Sequence, residues 1–241
     1  MKKLIINADD FGYSRGVNYG IIDSYQKGIL TSATFMTNMP GASQAAELAK
    51  QNPGLGVGVH LVLTCDRPLL DSHKTLVDVN GDFRKLNFYE GGFTIDYDEV
   101  YSEWKVQIER FLSYGLEPTH LDSHHHINSF GSIPEVFLKL AREYSLPVRN
   151  NMEIPNDVAT TDSFSYLIET SLKDEQSLNE LFEKNETVEV MSHPAYLDKK
   201  LMATSSFTYP RIDEVEFLTH PSTVQRIHDR SDIKLATFKE L

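Results

Sequence analysis

Two adjacent carboxylates, Asp9 and Asp10, end the short run Leu4-Ile5-Ile6-Asn7-Ala8, and a dense histidine run, His120-Leu-Asp-Ser-His-His-His126, lies in mid-chain. A helix cap or turn would account for one of the aspartates and poorly for both. Neighbouring carboxylates at a strand end repel unless a cation or a proton sits between them, so a metal or a raised pKa is the natural explanation. Read as a strand, the histidine run puts His120, Asp122, His124 and His126 on one face and Leu121, Ser123 and His125 on the other. That periodicity favours His124 over His125 as a ligand. Neutral imidazole is a common metal ligand, and Asp122 would orient a ligating ring from behind. A purification tag would lie at a terminus, whereas this run is internal.

His60 lies in Gly56-Val57-Gly58-Val59-His60-Leu61, on the glycine side of the alternation. A lone strand histidine is more often a satisfied core residue, but the glycines leave room beside it for a neighbouring backbone or a bound group such as a hydrated cation. His193, in Ser192-His193-Pro194, either caps a strand end or moves a proton near neutral pH. Arg149 and Arg211 could orient a carboxylate or a substrate group, although a surface position is the ordinary reading of each. His73, His220 and His228 carry no assigned role. There is no Gly-x-x-x-x-Gly-Lys, no Gly-x-Gly-x-x-Gly after the first strand, no Gly-x-Ser-x-Gly and no His-Glu-x-x-His. Their absence argues against nucleotide cofactors and serine hydrolases.

The elements that must position these groups alternate. Strands are predicted at Leu4 to Ala8, Thr31 to Thr37, Gly56 to Thr64, Thr119 to His124, Pro147 to Arg149, Thr187 to Ser192 and Ile233 to Thr237. Helices are predicted at Asn18 to Lys27, Ala42 to Gln51, Tyr97 to Ser113, Pro134 to Tyr144, Ser163 to Leu172, Ser177 to Lys184 and Thr223 to His228. Such a rhythm gives an α/β fold of about seven parallel strands, a barrel in preference to an open sheet. Residues 66–96 read as a long insertion bordering the site, and 150–162 as a polar surface excursion. A length of 241 residues with 40% hydrophobic and 24% charged suits a single folded domain over 1–241.

The 35 acidic and 23 basic residues give a net charge of −12, with no basic run fit for a phosphate backbone, so nucleic acid is not an expected partner. Cys65 is alone, which leaves no intrachain disulfide and no cysteine zinc site. The apolar run after Lys2-Lys3 is shorter than the roughly seven residues of a secretory signal, and no stretch approaches the ~20 of a membrane span. A cytoplasmic protein without membrane attachment is the expectation.

The motifs Asn7-Ala8-Asp9-Asp10-Phe11-Gly12, Gly58-Val59-His60-Leu61, Thr119-His120-Leu121-Asp122-Ser123-His124-His125-His126 and Ser192-His193-Pro194-Ala195 together resemble the YdjC-like carbohydrate deacetylases. The resemblance runs in order from residue 4 to about residue 220, taking in Tyr19-Gly20-Ile21-Ile22 and Tyr209-Pro210-Arg211. It implies a deviant (β/α) barrel, TIM-barrel-like, with Asp10, His60 and His124 as metal ligands and Asp9 as general base. The reaction implied is hydrolysis of an N-acetyl group from amino sugars such as diacetylchitobiose or related N-acetylglucosamine oligosaccharides, releasing acetate. His193 is the candidate acid, with His126 and Asp122 competing, and Arg211 is a supporting residue. Ligand softness suits Zn²⁺ or another transition ion, whereas the resemblance implies Mg²⁺. Related proteins are often dimers, so the resemblance also allows a homodimer. Two other readings stand: a metal-dependent phosphoesterase, with Arg15 and Arg211 as phosphate-holding candidates, and a non-catalytic sugar-binding protein.

Overall fold

The strand that carries the two carboxylates is the centre of the sheet. In a computed structural model describing residues 1–241, the elements run β1 (Lys2–Phe11), α1 (Arg15–Lys27), β2 (Ser32–Phe35), α2 (Ala42–Gln51), β3 (Gly56–Leu61), α3 (Leu86–Tyr89) and α4 (Tyr97–Ser113). They continue with β4 (Leu121–Ser123), α5 (Ile133–Tyr144), β5 (Ser163–Ser165), α6 (Ile168–Ser171), α7 (Glu175–Leu181), β6 (Thr187–Ser192), α8 (Lys199–Thr204), α9 (Pro210–Thr219), α10 (Pro221–His228) and β7 (Ile233–Leu235).

All pairings are parallel, in the order β4-β3-β2-β1-β6-β5. On β1, β6 holds one edge from Lys3 to Ala8, while β7 takes Lys2 to Leu4 and β2 takes Asn7 to Phe11 on the other. Val148 bridges both Leu121 of β4 and Thr160, just before β5, so the circuit of pairings returns on itself. This is a seven-stranded deviant barrel of the TIM-like kind. Strands buried on both faces need apolar residues at nearly every position, and Leu4, Ile5, Ile6 and Ala8 meet that need.

Helices pack outside through one apolar stripe each. On α1 the stripe is Val17, Ile21 and Ile22, and Ser14 caps the N-terminus by accepting from the Val17 N–H. On α4 and α5, Trp104 meets Phe137 edge-on at 6.1 Å between ring centres. No helix is long and apolar enough to cross a membrane.

Several elements differ from expectation. Pro147 to Arg149 is a single bridging position and not a full strand. Ser163 to Leu172, expected as one helix, is β5 followed by the short α6: pairing of Ser163–Ser165 with Val188–Val190 overrides local propensity. α8 and α9 were not expected. The segment 66–96 is mostly loop, pinned to α4 by two carboxylates. Glu103 accepts from the Leu69 and Leu70 N–H groups (2.8 and 3.1 Å) and pairs with His73 Nε2 (2.9 Å), and Glu99 accepts from the Lys74 and Thr75 N–H groups (2.8 and 2.9 Å). His73 thus has a structural partner that local context did not reveal.

Candidate metal centre and active site

Consecutive residues of a regular strand point to opposite faces, which would separate Asp9 from Asp10. The β1–β2 register shifts between Ala8 and Phe11, and Asp10 takes a left-handed φ of 72°. This bulge turns both carboxylates into the same buried site, with Asp9 at 2% and Asp10 at 1% exposure. A left-handed φ recurs at Gly12 (94°), where a Cβ would stand 2.8 Å from the Phe35 ring and 2.9 Å from the Met36 carbonyl.

Each carboxylate has its own guanidinium. Arg149 donates from Nη1 to Asp9 Oδ2 (2.8 Å) and from Nη2 to Asp9 Oδ1 (2.7 Å), and Arg211 donates from Nη2 to Asp10 Oδ2 (2.7 Å). Both arginines are buried, at 0% and 4% exposure, so the surface reading of each is corrected. Burial pushes the Asp9 carboxyl up, but Arg149 outweighs it and holds the group far below the usual carboxylate range. Asp10 is likewise raised by burial and held well below that range by Arg211 and His124. A raised pKa is therefore not how these two groups coexist.

His60 and His124 complete the inner cluster. His60 Nδ1 lies 2.7 Å from Asp122 Oδ1, an arrangement in which the ring donates to the carboxylate and leaves Nε2 as a free lone pair. That Nε2 is 3.5 Å from Asp10 Oδ1, and His124 Nδ1 is 3.0 Å from the same oxygen. Ligand atoms of Asp10, His60 and His124 all lie within 4.8 Å of one another, and all three residues are buried. Asp10 Oδ1 is buried without a hydrogen bond. Burial lowers the His124 pKa, but Asp10 overrides that and raises it to about 10. His124 stands 3.0 Å from Asp10 Oδ1 without a hydrogen bond to it, and a cation between the two would serve that oxygen.

Behind this cluster lies a charge imbalance. Arg149 also donates to Glu189 Oε1 from Nε (2.9 Å) and Nη2 (2.8 Å), and its Nη2 is 2.9 Å from Asp122 Oδ2. Asp9, Asp10, Asp122 and Glu189 share the two guanidiniums, and Glu189 Oε2 has no partner. Burial pushes Glu189 up to about 7. The surplus negative charge borders Asp10, His60 and His124, where a divalent cation would offset it. The donor set and the orphaned oxygen therefore fit a divalent metal.

The remaining predicted residues spread around this centre. His193 Nε2 stands 3.9 Å from Asp9 Oδ2, and the His193 backbone N–H donates to Glu214. Burial lowers the His193 pKa to about 4 against the pull of Asp9 and Asp10, and raises Glu214 to about 7. The histidine run does not continue as a strand. It folds into a short helical turn from His124, with His125 and His126 left-handed (φ 57° and 53°), so His126 leaves the face expected for it. Its Nδ1 accepts from Asn151 Nδ2 (3.1 Å), and its ring packs on Tyr166. His120 points into the barrel floor, stacked on Phe238 at 3.7 Å. The space left by Gly58 holds the His120 ring, 2.5 Å from where a Cβ would stand, and not a bound group.

A cavity of about 880 Å³ opens onto the centre, lined by Asp9, Asp10, His60, His124 and His193 among others. Lys85, Leu86, Asn87 and Glu90 of the 66–96 segment form part of its wall, whereas Asp122 lies behind it. Glu189 escaped sequence reasoning as a site residue, and Arg149 was weighed there as an orienting group but read in the first place as a surface one. The strand-end position that marks Asp9 also marks Arg149, and a charged Glu189 inside an apolar strand is itself a flag.

A parallel (β/α) barrel with a buried Asp/His centre at the carboxyl ends of its strands defines a class of α/β barrel protein able to hold a divalent cation. Within that class the chain belongs to the YdjC-like family, whose model matches residues 3–229. A carbohydrate deacetylase of Clostridium beijerinckii is 41% identical over 247 residues, covering 99% of this chain and 100% of that protein. One of Geobacillus stearothermophilus is 43% identical, covering 98% and 96%. The crystal structure of an Enterococcus faecalis V583 protein, whose proposed role is cellobiose-phosphate cleavage, superposes with a TM-score of 0.89 at 35% identity, covering 99% and 98%.

Proposed function

We propose that this chain acts as a single carbohydrate deacetylase domain that hydrolyses N-acetyl groups of amino sugars such as diacetylchitobiose, releasing acetate. The observation that carries the chemistry is the unbonded Asp10 Oδ1 facing His60 Nε2 and His124 Nδ1 beside an arginine-clamped Asp9. Relatives named carbohydrate deacetylase at 41% and 43% identity supply the substrate class.

Asp10, His60 and His124 would hold the cation, proposed as Mg²⁺ on family resemblance, with Zn²⁺ equally suited to two imidazoles. The chemistry a divalent cation held by these residues would supply is a more acidic water and a polarised amide carbonyl. Arg149 weakens Asp9 as a base but fixes both of its oxygens, a cost offset by the sharpened nucleophile. Asp9 accepts the water's proton. His193, with Nε2 3.9 Å from Asp9 Oδ2, takes that proton over from Asp9 and passes it to the departing nitrogen, so that the water's proton ends on the amine. Asp122 orients His60, and its contacts with Arg149 and Thr34 keep it ionised and unsuited to the acid role. His126 belongs to the cavity wall.

A phosphoesterase would need free cations at the cavity. Arg211 is committed to Asp10, Arg15 is not in the lining, and Lys85 is the remaining basic side chain there. The free thiol of Cys65 fits a reducing cytoplasm. The test is acetate release from N-acetylated mono-, di- and oligosaccharides, with chelated enzyme as blank and generic phosphoesters as controls. Phosphate release without acetate release would overturn the proposal.

A further inference from the structure

One turn of α9 reaches both Asp10 and His193. Arg211 and Glu214 lie three residues apart on that helix, neighbours on one face, and both are buried and line the cavity. Arg211 donates from Nη2 to Asp10 Oδ2 (2.7 Å) and from Nε to the Phe207 carbonyl (2.8 Å), which fixes the direction of its guanidinium. Glu214 Oε2 accepts from the backbone N–H of His193, the first residue beyond β6. Two residues on, the Ala195 N–H donates to the Arg211 carbonyl (3.1 Å), and Pro194 between them has no N–H to offer. Every backbone donor of the turn 193–195 is thus directed to α9. On its other side the turn meets α1: a Cβ at Gly20 would stand 2.5 Å from the Ala195 Cα, and the Tyr196 N–H donates to the Gly16 carbonyl (3.0 Å).

A carboxyl is a costly acceptor to bury here. Burial raises Glu214 to about 7 against the pull of the His193 N–H and Arg211, and Glu169 and Asp9 add to the rise. Helix packing does not call for it, since Val215 and Leu218 supply the apolar contact of α9. An apolar residue at 214 would leave the His193 N–H without its acceptor, and the turn would lose the tie nearest the ring. The His193 ring depends on that tie. It has no hydrogen bond within the chain: its Nε2 stands 3.9 Å from Asp9 Oδ2, and its neighbour Phe207 meets it edge-on at 5.6 Å. Its backbone therefore decides where it stands.

We propose that Glu214 is a positioning residue for the proton transfer: acting through the His193 backbone, while Arg211 one turn away holds Asp10, it sets the separation between the proton carrier and the aspartate pair. This rests on the deacetylase reading for the transfer that it serves. The test compares the wild type with Glu214→Gln, which keeps an oxygen acceptor at the same reach, and with Glu214→Ala, which removes it. Glu214→Met removes it at nearly the same volume and stands in where the alanine variant does not fold. The alanine and methionine variants should lose roughly tenfold to a hundredfold in kcat on diacetylchitobiose with KM nearly unchanged. Glu214→Gln should stay within about threefold of wild type. Bound divalent metal, measured by mass spectrometry, should be equal throughout. Wild-type kcat without the acceptor would overturn the proposal. A loss in Glu214→Gln as large as in Glu214→Ala would do so too, because the carboxyl itself would then be acting, as would loss of metal in the alanine and methionine variants, because the effect would then run through Asp10. Amide hydrogen exchange at His193, followed by NMR, reads the tie without turnover: it should be at least roughly tenfold faster in the alanine and methionine variants and close to wild type in Glu214→Gln. If no sugar releases acetate, the deacetylase reading fails by itself. Faster exchange confined to the variants without the acceptor would then still support the tie, and equal exchange in all of them would sink it.

Discussion

Arg149 grips both carboxylate oxygens of Asp9, at 2.7 and 2.8 Å, with both residues buried and Asp9 alone of the two lining the cavity. Replacing Arg149 by alanine leaves three buried carboxylates unbalanced, with an expected loss of about 3–5 kcal/mol. Arg149→Lys keeps a positive charge without the two-pronged geometry. It should fold yet lose at least roughly tenfold in kcat with little change in KM. Denaturant titration and steady-state kinetics check both, and wild-type kcat in Arg149→Lys would refute the orienting role.

The proposed roles of Asp9 as base and Asp10 as metal ligand can be separated although the two are neighbours in sequence. Asp9→Asn should retain the bound divalent cation and lose most activity, while His124→Ala should lose both. Metal content by mass spectrometry, measured beside acetate release, separates them. Full occupancy and normal turnover in His124→Ala would remove it from the ligand set.

Asp122 acts on the centre through the His60 ring, 2.7 Å away. Asp122→Asn should weaken metal affinity by about 10–100-fold, the usual scale for loss of a partner behind a ligand. Competition with a metal-binding dye reads this directly, and unchanged affinity would show that the ring is oriented by packing alone.

Glu189 gives a pH signature. Burial raises its folded-state pKa to about 7 from an ordinary 4.5, so its contribution to stability is full below the ordinary value and is lost as pH rises through about 7. Glu189→Gln carries no such loss. Relative to wild type, it should gain stability between about pH 5 and about pH 8, by at most about 3 kcal/mol. Parallel denaturation curves at the two pH values test this, and a constant difference would contradict it.

Much of the centre was readable in the chain, because strand ends and period-2 alternation are local properties. Asp9, Asp10, His60 and His124 were marked by type and spacing, and Asp122 by its place behind a ligand. The alternation of Leu4 to Ala8, Gly56 to Leu61 and Thr187 to Ser192 with helical segments was enough for a parallel barrel.

Other features arise from contacts between distant residues. Arg149 and Arg211 are 140 and 201 positions from the aspartates they hold, and a lone arginine in sequence gives no sign of a buried partner. The left-handed turn at His125 and His126 breaks the alternation that put His126 beside His124, since a register is fixed only where a neighbouring strand is there to pair with. The sequence alone determined which side chains could bind a cation. Tertiary structure decided which carboxylate faces which guanidinium, because charge balance in a buried site depends on what the fold brings within a few ångströms and not on separation along the chain.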